Sequence, residues 1–336
     1  MNLILLAVGF VVLVVAADWL VDGASGLSRR FGVSELVVGL TVCAFGTSAP
    51  ELFVNGVATL RDQDALVLGN VLGSNVFNTL LVLGVGSLIA PLVVRPREAR
   101  RELLYGVLAA LGLLVLANDA WFFGAPSMLS RWDGLLLLGG FALFLRHTFS
   151  LSGEGAGPQT AEPQAAGAML RDGVRVTAGL IGLPLGAHLV VVSATSIASA
   201  FGLSEALIGL TIVSVGTSLP ELAATAMAAW RGKAELAVGN VLGSNLFNLL
   251  LVLGVSSVLR PLEHTVALNA DALVFIAACG LVAAGLLQRR LSRGLGALLI
   301  AGFAAYLVFL GVREHRAGGL LLGLDAAPAR VGYVAE

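Results

Sequence analysis

Long apolar runs alternate with short polar breaks over almost the whole chain, from "LILLAVGFVVLVVAA" near the start to "NLLLVLGVSSVL" beyond residue 247. Runs of this length predict lipid-spanning helices rather than the elements of a soluble core. Ten such segments can be drawn, at roughly 3–28, 35–60, 66–91, 103–118, 134–149, 174–200, 205–230, 236–260, 269–288 and 295–312. The fourth and fifth are short and rich in Gly. The first run has no basic residues before it and equally apolar sequence after it, so a retained span is expected rather than a cleaved signal. Between the fifth and sixth segments, "SLSGEGAGPQTAEPQAAGAML" shows no periodicity and predicts a flexible linker. The pattern divides the chain into an N-terminal half at 1–149, a linker at 150–173, a C-terminal half at 174–312 and a tail at 313–336.

Polar residues interrupt these segments in a repeated way. "FGTSAPELF" at 45–53 returns as "VGTSLPELA" at 215–223, with Gly, Thr, Ser, Pro and Glu each displaced by 170 residues. "GNVLGSNVFNTLLVLGV" at 69–85 matches "GNVLGSNLFNLLLVLGV" at 239–255 in 15 of 17 positions, at the same displacement. The register runs without a gap from about Ala17/Ala187 to Pro91/Pro261. The displacement contains five segments, an odd number, so the two copies cross the membrane in opposite directions. The expected fold is therefore an all-α polytopic membrane protein, with ten transmembrane helices in two inverted five-helix repeats. Such repeats place ion sites near the bilayer midplane, where the halves meet.

Helical spacing puts Thr47, Ser48 and Glu51 on one face, and Thr217, Ser218 and Glu221 on another. Asn70, Ser74 and Asn78 form a polar stripe in the following segment, as do Asn240, Ser244 and Asn248. Pro50 and Pro220 have no N–H for the carbonyls of Gly46 and Gly216, and their rings disfavour a regular turn. Composition sharpens the picture: 57% of the residues are hydrophobic, 12% are charged, and mean hydropathy is +0.93. A carboxylate at the bilayer centre is costly, and no Lys or Arg in the same segments neutralises Glu51 or Glu221. A cation or a proton is left to do so. The oxygens on offer suit hard cations such as Ca2+ and Na+. An enzyme reading fails because Ser48 and Ser218 have no His or Lys partner nearby. A channel needs a continuous pore, commonly built by several subunits, whereas one carboxylate per inverted repeat favours alternating access.

Other polar positions have plainer readings. Gly69, Gly73, Gly239 and Gly243 form small-xxx-small patterns suited to close helix packing. Asn75 and Asn245 are expected to bond across helices. Glu35 with Ser34, and Glu205 with Ser204, read as helix caps. Cys43 and Cys279 are expected to be inert packing residues. Asp18 and its mate His188 do not match, so neither is placed in the site. With the N-terminus outside, 14 Lys and Arg residues fall inside and six outside, which favours both termini outside.

Taken together, "GTSAPE" with "GNVLGSNVFN", and "GTSLPE" with "GNVLGSNLFN", resemble the two α-repeats of the cation/Ca2+ exchanger superfamily, particularly its prokaryotic sodium/calcium exchangers. The resemblance covers 17–91 and 187–261, with the motifs at 39–85 and 209–255. It implies a diamond of ion sites at the midplane. Glu51 and Glu221 would hold Ca2+ with the Thr47 and Thr217 carbonyls. Ser48, Ser74, Ser218 and Ser244 would line Na+ sites with the carbonyls of Ala44 and Ser214, and Asn78 and Asn248 would complete the centre. Spans one and six resemble sliding gate helices. The implied activity is electrogenic exchange of several Na+ for one Ca2+ across the plasma (inner) membrane, with the ions as substrates, no cofactor, and no nucleic-acid or obligate protein partner. Many relatives carry Asp where this chain has Asn248. That departure disfavours a potassium-coupled variant and leaves the Na+ stoichiometry open. The Ca2+/H+ branch typically uses a Gly-Asn-Ala-type motif, so proton coupling ranks second.

Overall fold

A computed structural model describes residues 2–122, 124, 126–150, 168–200 and 214–324. The chain folds into helical rods joined by short turns. In order they are α1 (Asn2–Phe31), α2 (Glu35–Thr47), α3 (Ala49–Leu60), α4 (Asp64–Ile89), α5 (Pro96–Leu116), α6 (Asp119–Phe122), α7 (Arg131–Ser150), α8 (Ala168–Ala200), α9 (Ser214–Gly216), α10 (Leu219–Trp230), α11 (Ala234–Leu259), α12 (Val266–Leu287) and α13 (Arg293–Leu324). Among the described residues, six helices (α1, α4, α8, α11, α12 and α13) are long and apolar enough to cross a membrane. α2 and α3 make a seventh span if they are taken as one helix bent by 44°. The chain is thus a polytopic helical membrane protein.

Several predicted boundaries move. α8 starts at Ala168, so the last six residues of the expected linker are helical, and α13 runs past residue 312 to Leu324. α5 begins at Pro96 rather than 103, because Arg97, Glu98, Arg100 and Arg101 can extend a helix at its polar end. Residues 151–167, 201–213 and 325–336 lie outside the described residues. They include most of the linker, the start of the seventh predicted span with Ser204 and Glu205, and the end of the tail. Ser34 caps α2 as expected, with its Oγ accepting from Val37 N at 3.3 Å.

Large apolar side chains face outward as well as inward, and a set of polar ones is fully buried. Leu3, Phe53, Leu60, Trp132, Leu143 and Val308 are exposed, while Thr47, Glu51, Asn55, Asn78, Glu221 and Asn248 are fully buried. Apolar surface facing lipid carries no penalty, so the fold spends its interior on polar groups that lipid cannot satisfy.

Two ends of the bundle are tied differently. At one, which we call the basic pole, β1 (Leu92–Val93) pairs antiparallel with β4 (Arg290–Leu291). Lys233 pairs with Glu35 at 2.7 Å, Arg30 with Asp172 at 2.9 Å and Arg95 with Glu235 at 3.2 Å, and Arg231 with Asp18 and Arg175 with Asp22 join them. At the other, β2 (Met128–Leu129) pairs with β3 (Leu262–Glu263), and Arg260 reaches Asp64 and, at 2.6 Å, Asp62. The turns at Asp62 and Gly232 occupy matched repeat positions, and both are left-handed, at φ 59° and 71°. Asn tolerates that conformation and Asp shares its short polar side chain; Gly adopts it freely.

α1 and α8 pack along each other through small residues. A Cβ on Gly186 would sit 2.9 Å from Leu13 N, and one on Gly179 would sit 2.8 Å from Ala16 O. Such close approach is how membrane helices associate without a hydrophobic driving force.

Candidate functional site

Both glutamates lie just after a break in their rods. Ser48, at φ −88° and ψ 2°, leaves the helical region between α2 and α3, and Pro50 falls in the first turn of α3. The missing Pro50 N–H releases α2 from continuing, while Leu52 N picks up Ser48 O at 3.1 Å and restarts the ladder. Ser218 and Pro220 do the same between α9 and α10, with Leu222 N bonding Ser218 O at 3.2 Å. The first repeat closes with Ser48 N on Ala44 O at 3.0 Å. The second closes with Ser218 N on Val215 O at 3.1 Å, one residue tighter.

The breaks bring the two motifs together. Ser48 Oγ donates to Glu221 Oε1 at 3.0 Å, and Ser218 Oγ donates to Glu51 Oε1 at 3.2 Å. Each serine thus serves the carboxylate of the opposite repeat. Ser74 Oγ lies 3.2 Å from Ser218 Oγ, and Thr47 Oγ1 lies 3.3 Å from Ser244 Oγ. Asn78 and Asn248 are fully buried, and neither side-chain atom of either amide has a hydrogen-bond partner among the described residues. The same holds for Oε2 of Glu51 and Glu221 and for Oγ1 of Thr217.

Of the twelve residues expected in the site, Thr47, Ser48, Glu51, Ser74, Ser218, Glu221 and Ser244 are joined directly by this network. Asn78 and Asn248 lie on the same helices as Ser74 and Ser244, one turn on. Ala44 O already accepts from Ser48 N and, at 3.4 Å, from Thr47 Oγ1. Ser214 opens α9, three residues before Thr217.

Asn240 was recognised as part of a polar stripe but was not expected in the site. It lies 3.3 Å from Thr47 Oγ1 through Oδ1 and donates from Nδ2 to Thr225 Oγ1 at 3.0 Å. Asn55, whose Nδ2 donates to Glu51 O at 2.7 Å, was not singled out by the sequence. Its signal was its spacing of four from Glu51. Asn75 and Asn245 bond across helices, Asn75 Nδ2 to Asn245 O at 3.2 Å and Asn245 Nδ2 to Thr79 Oγ1 at 2.9 Å. Asp18 stands apart from the site and pairs with Arg231.

Chemically, the centre offers two carboxylates, six serine and threonine hydroxyls and two unpaired amides, all oxygen donors apart from the amide nitrogens. The described residues contain no cluster of three or more His, Cys, Asp or Glu that could hold a metal. The donor set therefore suits a hard cation held by few charges and many neutral oxygens.

The family profile described as sodium/calcium exchanger protein matches residues 1–149 and 174–312. The chain is 38% identical over 316 residues to the "Putative antiporter CaxA" of Alkalimonas amylolytica, covering 90% of this chain and 96% of that protein. It is 37% identical to the "Inner membrane protein YrbG" of Escherichia coli (strain K12), covering 91% and 95%. Among solved structures it is similar to the sodium-calcium exchanger NCX_Mj soaked with zero Na+ and Ca2+. That match has a TM-score of 0.80 and 30% identity, over 92% of this chain and 98% of that one.

Proposed function

Because the chain belongs to the sodium/calcium exchanger protein family, we propose that it exchanges Na+ for Ca2+ by alternating access, with both ions bound between its two repeats. It is an antiporter of that superfamily and not an enzyme; Na+ and Ca2+ are its cargo, and no cofactor takes part. The observation that carries the Na+/Ca2+ reading is the reciprocal bridging of Glu51 and Glu221 by Ser218 and Ser48. Two carboxylates match one Ca2+ in charge, and the surrounding hydroxyls and amides supply the neutral oxygens that Na+ also accepts. Ca2+ is assigned to Glu51 and Glu221 with the Thr47 and Thr217 carbonyls. Na+ is assigned to Ser48, Ser74, Ser218 and Ser244 with the Ala44 and Ser214 carbonyls, and Asn78 and Asn248 line the centre.

The topology proposed is ten spans in two inverted repeats, with α5, α7 and the α9–α10 rod supplying the spans that fall short on length or composition. Two ion pairs support opposed directions. Glu35, at the start of the α2–α3 span, meets Lys233 beyond the end of the matched α9–α10 span; Arg260, beyond the end of α11, meets Asp64 at the start of its mate α4. The basic pole is assigned to the cytoplasm of a cell whose plasma (inner) membrane holds the protein, with both termini outside.

Vesicles loaded with Na+ and diluted into Na+-free medium are expected to accumulate Ca2+. Uptake that ignored the Na+ gradient and followed a pH gradient would instead assign the coupling to protons. Asp18→Asn is expected to retain Ca2+ uptake, within about threefold of the parent, because its ion pair with Arg231 is partly exposed and such pairs contribute little. Loss of uptake in that variant would move Asp18 into the site.

A further inference from the structure

Positions matched by the repeat have unmatched surroundings beside the glutamates. In the second repeat, Asn240 Nδ2 donates to Thr225 Oγ1 at 3.0 Å and to Glu221 O at 3.5 Å. Displaced by 170 residues, the mates of Asn240, Thr225, Glu221 and Thr47 are Asn70, Asn55, Glu51 and Thr217. There, Asn55 Nδ2 is engaged with Glu51 O, but Asn55 Oδ1, Asn70 Nδ2 and Thr217 Oγ1 are buried with no partner among the described residues. A donor on Asn70 and an acceptor on Asn55 are both present, and the bond between them is unmade.

Exposure follows the same asymmetry. Thr47 and Asn240 are 0% and 2% exposed, whereas Asn70 and Thr217 are half-buried. Asn240 lies near the start of α11, toward the basic pole; Asn70 lies near the start of α4, toward the opposite pole. The made bond therefore lies on the basic-pole side of the glutamates, and the unmade one lies on the opposite side.

We propose that Asn240 and Asn70 are positioning residues that take turns. Asn240 braces the Glu221 helix through Thr225 when the site is shut toward the basic pole. Asn70 braces the Glu51 helix through Asn55 when it is shut toward the other. An unpaired buried amide is costly, and inverted repeats exchange conformations during transport. Making one bond as the other breaks holds the number of satisfied groups constant, so neither end state is penalised for moving. The acceptors differ, a hydroxyl on Thr225 and an amide oxygen on Asn55, so the two states are not equal in energy.

The proposal rests on the alternating-access reading but is tested without measuring transport. In full-length protein with Cys43 and Cys279 replaced by Ala, single cysteines are introduced as Thr217→Cys or Thr47→Cys and labelled by an impermeant maleimide from each side of the membrane. Thr225→Val keeps the shape of the side chain and removes the acceptor; Asn70→Leu removes the donor. Thr225→Val is expected to slow labelling at position 217 from its side about three- to tenfold and to speed labelling at 47 from the basic pole, with Asn70→Leu doing the reverse. Thr225→Ser, which retains the acceptor, is expected to label like the parent. Shifts in the same direction at both positions, or no shift, would overturn the proposal. Half-saturating Ca2+ at the two faces should likewise move in opposite directions. Reciprocal labelling without any Na+-driven Ca2+ flux would sink the exchange reading alone; flux with non-reciprocal labelling would sink this inference alone.

Discussion

Glu51→Gln and Glu221→Gln are each expected to lower Ca2+ flux about a hundredfold or more while leaving the protein at least as heat-stable as the parent. Gln keeps the volume and an oxygen that can accept from Ser218 or Ser48, so the bridge between repeats survives. What is lost is one of two negative charges at the place where the proposed function has Ca2+ surrender its hydration shell. The stability half follows from the same burial. Each carboxylate is fully buried, and its Oε2 has no partner among the described residues, so in cation-free buffer the charge costs folding free energy that a neutral amide does not. Flux of 45Ca in proteoliposomes and thermal unfolding in cation-free detergent separate the two effects. A variant that kept flux within threefold of the parent would remove that glutamate from the ion path. A variant that unfolded first would make its role structural.

The second large effect falls on two glycines of the second repeat. Gly239→Ala and Gly243→Ala are each expected to destabilise by about 1–3 kcal/mol. A Cβ on Gly239 would stand 2.6 Å from Leu36 O. One on Gly243 would stand 2.6 Å from Ala44 Cβ and 2.7 Å from Leu40 O. Backbone of α2 cannot rotate aside as a side chain can, so α11 and α2 must part. Because α2 carries Thr47 and α11 carries Asn240 and Ser244, the Gly239 and Gly243 variants should also weaken Ca2+ transport. Melting temperatures of the two variants and the parent in one detergent provide the comparison, and unchanged melting in both variants would count against it.

The seat of these two glycines against α2 is set by the opposing helix, which their own motif does not encode. The polytopic helical fold and the approach of Ser48 and Glu51 to Ser218 and Glu221 were legible, because lipid tolerates so few polar residues that those present stand out. Asn55 and Thr225 were not, because they differ between repeats and so fall out of any pattern built on their likeness. Helix ends were missed at Ala168 and Leu324 for a different reason: beyond the hydrocarbon layer, helix and loop can have the same composition.

The polar stripes end in a widened turn. Asn78–Val82 in α4 and Phe247–Val252 in α11 are π-helical, each beginning at or beside the last asparagine of its stripe. A π turn accommodates one more residue than an α turn, so each of these helices carries a spare residue at its centre. Losing that residue would leave an unbroken helix, but everything beyond it would be rotated by about 100°. Gly84 would leave its seat against Ile300 and Gly296 O, and Gly254 would leave its seat against Leu138. The loops of this protein can absorb changes in length. Its two central helices cannot, because the number of residues between Asn78 or Asn248 and the distal glycines sets the phase of each rod.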